Sequence, residues 1–454
     1  MSRAIQGRLS SPFKLVLLAC AAALGLSSTP AFAIPSFARQ TGMPCAACHT
    51  VFPSLTPFGR QFKMRGYTMG EALASKEFPY NLPLAMGVQV GNTSIKDPNK
   101  GADPGDFDRA DKTIVQQLAL YYGGRVAGKV GAFAQYNWDG IEKTWGAEMV
   151  DIRYADTATV KDKELIWGVT VTNSPAMQDP WNTNPMWSFP HLTDAGIMPM
   201  VTPLMDMTLA NQVGGVGLYG FYDGQFYAEA GFFHNGHKGI FRPLNWGDEL
   251  STAVEGNAPH LRLAWEKDWN SSSLEIGMHA LRAKIYPDPD NLTGPTDRYT
   301  DLMLDSQYQH DGGSSMYSLH GYYIHEKRDW DASFPMGTAS NASDNLSLLN
   351  LSAHYWYHRK IGGGIGYFSY TGDTDAGMYA MPMASAMGNA TGSPDTRGWI
   401  VEADYLPLKN RENLKLGLRY TAYTKFNGAS DNYNGAGRNA SDNNAVFAYL
   451  WMLY

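Results

Sequence analysis

Once its N-terminal leader is set aside, the chain has only two cysteines, Cys45 and Cys48, and no second C-x-x-C to complete a zinc site. No apolar run beyond residue 33 approaches the roughly 18 residues that a spanning helix needs. A basic block is missing too. The leader holds three of the 36 basic residues and none of the 43 acids, which leaves a net charge of −10. Such a balance argues against nucleic acid or anionic lipid headgroups as partners. There is no Walker loop, no Rossmann glycine motif and no G-x-S-x-G elbow. No repeat of solenoid length and no low-complexity tract interrupts the chain. What is abundant is aromatic and small: 26 Tyr, 12 Trp and 47 Gly, with a mean hydropathy of −0.31. That profile suits either a soluble β-protein or a membrane barrel, whose strands need only one apolar face.

The N-terminus carries Arg3, Arg8 and Lys14, then the apolar stretch Leu15 to Leu26, then Ala31-Phe32-Ala33. This is the pattern of a secretory leader over residues 1–33, with lipidation at Cys20 as the rival reading. Export makes Cys45-Ala46-Ala47-Cys48-His49 meaningful, because C-x-x-C-H is the attachment signature of a c-type haem. The two thiols add to the haem vinyl groups, and the two-residue gap sets them on one helical turn. The next residue, His49, offers its imidazole to the iron. A disulfide or a redox pair would also use C-x-x-C, but would not need the adjoining histidine.

Residues 34–82 read as a short, helical, proline-punctuated segment. Thr56-Pro57 has the form of an N-cap followed by proline in the first turn, Phe58 and Phe62 fall on one face, and Gly66 is a C-terminal stop. The segment is marginal as an independent fold, so it is expected to lean on the rest of the protein.

Residues 83–454 change to period two. Leu414, Leu416, Leu418 and Tyr420 alternate with Lys415, Gly417, Arg419 and Thr421; Leu261, Leu263 and Trp265 alternate with Arg262 and Glu266. Sixteen strands are predicted at 84–95, 113–123, 126–138, 148–157, 163–172, 211–222, 225–233, 260–267, 272–282, 299–308, 315–326, 347–357, 360–370, 397–406, 413–426 and 444–454. Even-to-odd connections are short, as at Gly123 to Arg125, Asp223-Gly224 and His358-Arg359. Odd-to-even connections are mostly long, with 173–210 the longest and 139–147 the shortest. Segregated loop length marks an outer-membrane barrel; a soluble sandwich has no reason for it. Most acids in the long loops read as solvated tips. The last strand is apolar on both faces, which suggests that its lumen side packs against the N-terminal segment. The expected fold class is therefore all-β: a sixteen-stranded antiparallel outer-membrane β-barrel with a small α-helical N-terminal c-type haem segment as plug.

Phe37-Ala38-Arg39-Gln40-Thr41-Gly42-Met43, the C-A-A-C-H that follows, and then Pro53, Leu55, Phe58-Gly59-Arg60, Phe62-Lys63 and Gly66-Tyr67 form a specific pattern. Over residues 34–67 the chain resembles the fused monohaem cytochrome–porins of the outer membrane, best known as Fe(II) oxidases; Met64 stands where leucine is expected. The resemblance implies a haem-bearing plug in or at the mouth of a porin. It also implies electron transfer from extracellular Fe(II), or another donor, to a periplasmic cytochrome or other carrier, that is, an Fe(II):cytochrome c oxidoreductase activity. Export of electrons to external acceptors, or solute or haem uptake around a structural haem, are the alternatives. The expected cofactor is one covalent haem c, held by Cys45 and Cys48 with His49 on the iron. The sixth ligand is open. Met43, Met64, Met69 and Met86 are candidates, as are barrel histidines such as His279, His320 and His354; a methionine would raise the potential.

Overall fold

A strand with one apolar and one polar face is stable only where each face meets its own solvent. In a soluble β-protein the apolar face is the buried one. Here the reverse holds. Leu418 is 54% exposed and Leu304 61%, whereas Arg419 and Arg262 are 1% exposed. The leucines face outward and the charges face inward, which is the arrangement of a barrel standing in lipid. The computed structural model describes residues 35–50, 53–71, 82–183, 189–247, 249–408 and 413–454. The leader read over 1–33 and most of the link from the helical segment to the first strand lie outside the described residues.

Sixteen antiparallel strands close into one barrel, each paired with its chain neighbours and β1 (Leu84–Ile95) with β16 (Ala445–Leu453). Between them run β2 (Thr113–Ala127), β3 (Val130–Asp139), β4 (Thr144–Val160), β5 (Lys163–Thr172), β6 (Val213–Tyr222), β7 (Phe226–Asn235) and β8 (Asn257–Trp269). The far side is β9 (Ser272–Ile285), β10 (Asp297–Asp311), β11 (Ser315–Asp329), β12 (Ser343–Tyr357), β13 (Ile361–Gly372), β14 (Thr396–Tyr405) and β15 (Leu414–Lys425). Closure satisfies every strand edge without water, which is why a barrel can span where an open sheet cannot. Among the described residues no helix is long and apolar enough to cross a membrane.

All sixteen strands fall where period two places them. One turn does not. The Gly123 to Arg125 stretch lies inside β2, and the reversal comes at Gly128 and Lys129, with Gly128 at φ +53°. A bulge between Arg125 and Ala127 absorbs the misfit. Strands β10 to β12 run several residues further than their apolar pattern at the long-loop end. There Arg298 and Asp329 pair across the strands at 2.9 Å, so charged residues continue the ladder above the lipid. At the short-turn end, Trp269, Tyr308, Tyr317 and Tyr355 form part of an aromatic girdle.

The lumen is filled by two inserts. One is the N-terminal segment: α1 (Pro35–Thr41), α2 (Cys45–Cys48) and α3 (Pro57–Met64). The other is the long connection 173–212, legible in the sequence only as the longest odd-to-even loop, which crosses the barrel. It touches β8 through Asp179 and Arg262 (3.4 Å), β10 through Thr183 and Asp305 (2.8 Å) and β15 through Asp194 and Arg419 (2.8 Å). The aromatic lumen face of β16 is shared between the inserts. Phe447 and Tyr449 pack on Leu192 of the connection, and Leu453 packs with Phe62 and Tyr67 of the N-terminal segment. The N-terminal segment thus meets that face at Leu453, as the sequence suggests, and the connection covers the rest. Several buried charges pair with one another away from water: Arg262 bridges Asp305 (2.6 Å) and Glu275 (2.8 Å), and Lys415 bridges Asp404 (3.1 Å) and Glu402 (3.3 Å).

Candidate functional site

The N-terminal segment is held inside the barrel at the end with the short turns. Thr56 caps α3 by accepting from Gly59 N (3.1 Å), with Pro57 in the first turn. At the other end Gly66 N donates to Lys63 O (3.0 Å) and Tyr67 N to Phe62 O (3.0 Å), a Schellman pair that uses Gly66 at φ +66°. Both helix boundaries are the ones the sequence marks. Gly59 is required for a different reason: a Cβ there would lie 2.2 Å from the Cys48 carbonyl oxygen, so α3 packs directly on the C-x-x-C turn.

Polar anchors fix this segment to the wall. Arg60, 1% exposed, lies 3.1 Å from Glu266 on β8 and donates to Gln307 (3.0 Å) and Gln309 (3.2 Å) on β10. The Tyr67 hydroxyl donates to Asp151 on β4 (2.5 Å), and the Tyr219 hydroxyl on β6 donates to Met64 O (2.6 Å). Arg359, in the β12–β13 turn, donates to the carbonyls of His49 (3.1 Å) and Thr50 (2.9 Å).

Cys45, Cys48 and His49 line one side of a cavity of about 770 Å³, counting the space that opens to solvent. The other walls are mostly apolar and come from four places: Phe37 and Ala38 of α1, Gly59 and Phe62 of α3, Phe133 of β3, and Met177 of the 173–212 connection. No disulfide joins the two cysteines. Burial, with Cys45 alongside, pushes the Cys48 thiol up to about 11. Burial pushes the His49 imidazole down to about 4, against the opposing pull of the Pro53 and Ser54 carbonyls. At neutral pH the ring is uncharged, the form that ligates a metal. Two thiols on one turn, a neutral imidazole next to them and an apolar, aromatic hollow beside all three fit a covalently attached haem.

Of the seven ligand candidates named from sequence, only Met43 borders this cavity. Met64 is buried against Trp181 and Tyr219, Met69 packs against the cluster around Phe62, and Met86, 58% exposed, faces lipid. His279 sits beside His260 in the wall, 3.3 Å away. His320 and His354 lie together near His191, over a separate hollow of about 440 Å³ that His191 and His354 line with Thr50 and Ser54. Phe58 does not reach the cavity either; the face of α3 turned to it carries Gly59, Phe62 and Lys63. Met177, Phe133 and Asn182 were not foreseen. For Met177 a signal did exist: Ser174-Pro175 repeats the cap-then-proline form of Thr56-Pro57, and it opens a helical turn, α4 (Pro175–Gln178).

No protein-family model and no curated protein matches the chain. Among solved structures it is similar to OmpF of Salmonella typhi in complex with daunomycin (9% identity, 82% of this chain and 97% of that one, TM-score 0.46). It is also similar to the outer-membrane channel DcaP of Acinetobacter baumannii (10% identity, 82% and 96%, TM-score 0.43). A third is the anion-selective porin from Comamonas acidovorans (11% identity, 82% and 99%, TM-score 0.41). The outward leucines, the closed sheet, the girdle and the segregated loops define the class on their own: this is a porin-like outer-membrane β-barrel.

Proposed function

We propose that the protein carries one c-type haem in the cavity beside Cys45, Cys48 and His49 and serves electron transfer across the outer membrane. The donor is extracellular Fe(II), and a periplasmic cytochrome or similar carrier takes the electron. The observation that carries this reading is the seating of the C-x-x-C-H turn against a lumen cavity rather than in a domain outside the barrel. A haem held there supplies one-electron redox chemistry. The chain's own residues do the holding. Cys45 and Cys48 provide the thioether sulfurs and His49 the imidazole. Gly59 lets α3 close on that turn, and Arg359 steadies its backbone. Outer-sphere electron transfer needs no acid–base pair.

A second reading, a solute channel, has its own support: two further lumen hollows of about 1,120 and 920 Å³ remain on the β1–β4 and β11–β16 sides. Purified protein decides between the two. The haem reading expects about one haem per chain in a pyridine haemochrome assay, loss of attachment in Cys45→Ala or Cys48→Ala, and stopped-flow reduction of the haem by Fe(II). On intact cells a membrane-impermeant reductant should reduce it without permeabilisation. A wild-type chain without haem, in vesicles that swell in sugar solutions, would overturn electron transfer in favour of solute uptake. A haem with a midpoint potential too low for Fe(II) would reverse the direction and make the protein an exporter of electrons.

A further inference from the structure

Granting the haem reading, we propose that Met177, on the connection between β5 and β6, supplies the sixth ligand of the iron. Among the described residues, besides His49 and the two cysteines, the cavity wall offers four side chains able to bind iron: Met43, Lys63, Tyr67 and Met177. Two of them are committed elsewhere. The Lys63 ammonium donates to Asp179 O (2.8 Å) and Asn182 (3.3 Å), and the Tyr67 hydroxyl donates to Asp151. Taking either as a ligand would strand a buried polar partner. The choice is between two thioethers.

Met43 stands two residues before Cys45, on the same short segment that supplies His49, and is 38% exposed at the rim. Met177 comes instead from the other insert and is only 1% exposed, buried with Phe62, Tyr67 and Phe133. Its backbone is pinned. Ser174 caps α4 by accepting from Ala176 N (3.2 Å), and Arg153 on β4 donates to the carbonyls of Met177 (3.2 Å) and Gln178 (3.0 Å). A thioether ligand raises the haem potential, in the direction a weak donor such as Fe(II) requires.

The assignment has a structural corollary. The residues that attach the haem and the residue that completes its coordination lie on different inserts, one entering from each end of the barrel. The site is therefore whole only when both inserts are seated.

The test uses the full-length haem-loaded protein in detergent, with haem content measured in every sample. Wild type should show the near-infrared methionine-to-iron charge-transfer band in its ferric state and should not bind carbon monoxide when reduced. Met177→Leu, close in volume, should keep one haem per chain, lose the band, bind carbon monoxide stoichiometrically and fall in midpoint potential. Met43→Leu should match wild type. Met177→His should refuse carbon monoxide again, at a potential below wild type. Retention of the band in Met177→Leu, or its loss in Met43→Leu, overturns the assignment while leaving the haem reading intact. So does a wild-type haem that binds carbon monoxide at once, which needs no variant to fold. A wild-type chain without haem overturns both.

Discussion

The wall of the barrel and the material inside it solve the same problem in opposite ways. Each wall strand gets its hydrogen bonds from two neighbours and its apolar contact from lipid, so the sheet is self-sufficient once closed. The N-terminal segment has three helices of seven, four and eight residues and no such closure. Its aromatic residues Phe37, Phe62 and Tyr67 find their partners in Phe133, Tyr121 and Leu453 of the wall. The wall specifies itself by pattern; the segment is specified by where it lands. One sequence thus carries a local code and a borrowed one.

The largest expected effect breaks that asymmetry outright. A fragment ending near Leu82 should lack helical circular dichroism and cooperative unfolding, whereas a chain lacking residues 35–71 should still form a heat-modifiable barrel on gels. If the fragment folds with the spectrum it has in the full chain, the contrast drawn above is wrong. Next comes Arg262→Ala. It leaves Asp305, Glu275 and Asp179 buried without their cation and should cost about 3–5 kcal/mol in unfolding from lipid. On the outer face, Leu304 lies four residues from the girdle residue Tyr308 on β10. Leu304→Arg should cost about 2–4 kcal/mol there, against little for a polar change at a loop tip. The smallest effect sharpens the comparison. Gly59→Ala pushes a methyl into the Cys48 carbonyl and should destabilise the plug by about 1–3 kcal/mol. Proteolysis between Pro53 and Gly66 would report it, while the gel mobility of the barrel stays unchanged.

The same asymmetry explains what could be read from the sequence. Alternation such as Leu416, Leu418 and Tyr420 against Lys415 and Arg419 is local, so strand number, closure and orientation followed from it. Helix ends marked by Thr56 and Gly66 are local too. The β2–β3 reversal was misplaced because glycines at 123 and 124 mimic a turn, while the bulge that defers it to Gly128 depends on pairing with β3. The inward course of 173–212 was invisible for a similar reason. Its acids Asp179 and Asp194 look solvated until Arg262 and Arg419 are brought to them by distant strands. The cysteines and His49 carry their chemistry in their spacing. For Met177, Ser174-Pro175 marks the helical turn, but nothing local among 21 methionines says that this turn enters the lumen beside Cys45 and Cys48.

The seam between β1 and β16 adds a point about timing. It joins the first strand of the wall to the last, with Gly87 opposite Leu453 and Ser94 opposite Val446. Leu453 also packs on Phe62 and Tyr67, and Arg39 of α1 reaches the carbonyls of Leu82 (2.9 Å) and Leu84 (2.6 Å). The seam therefore closes around the plug, each burying surface that the other would leave bare. The wall can close without the plug, but the earliest-made part of the chain gains its last wall contacts only once β16 has paired with β1.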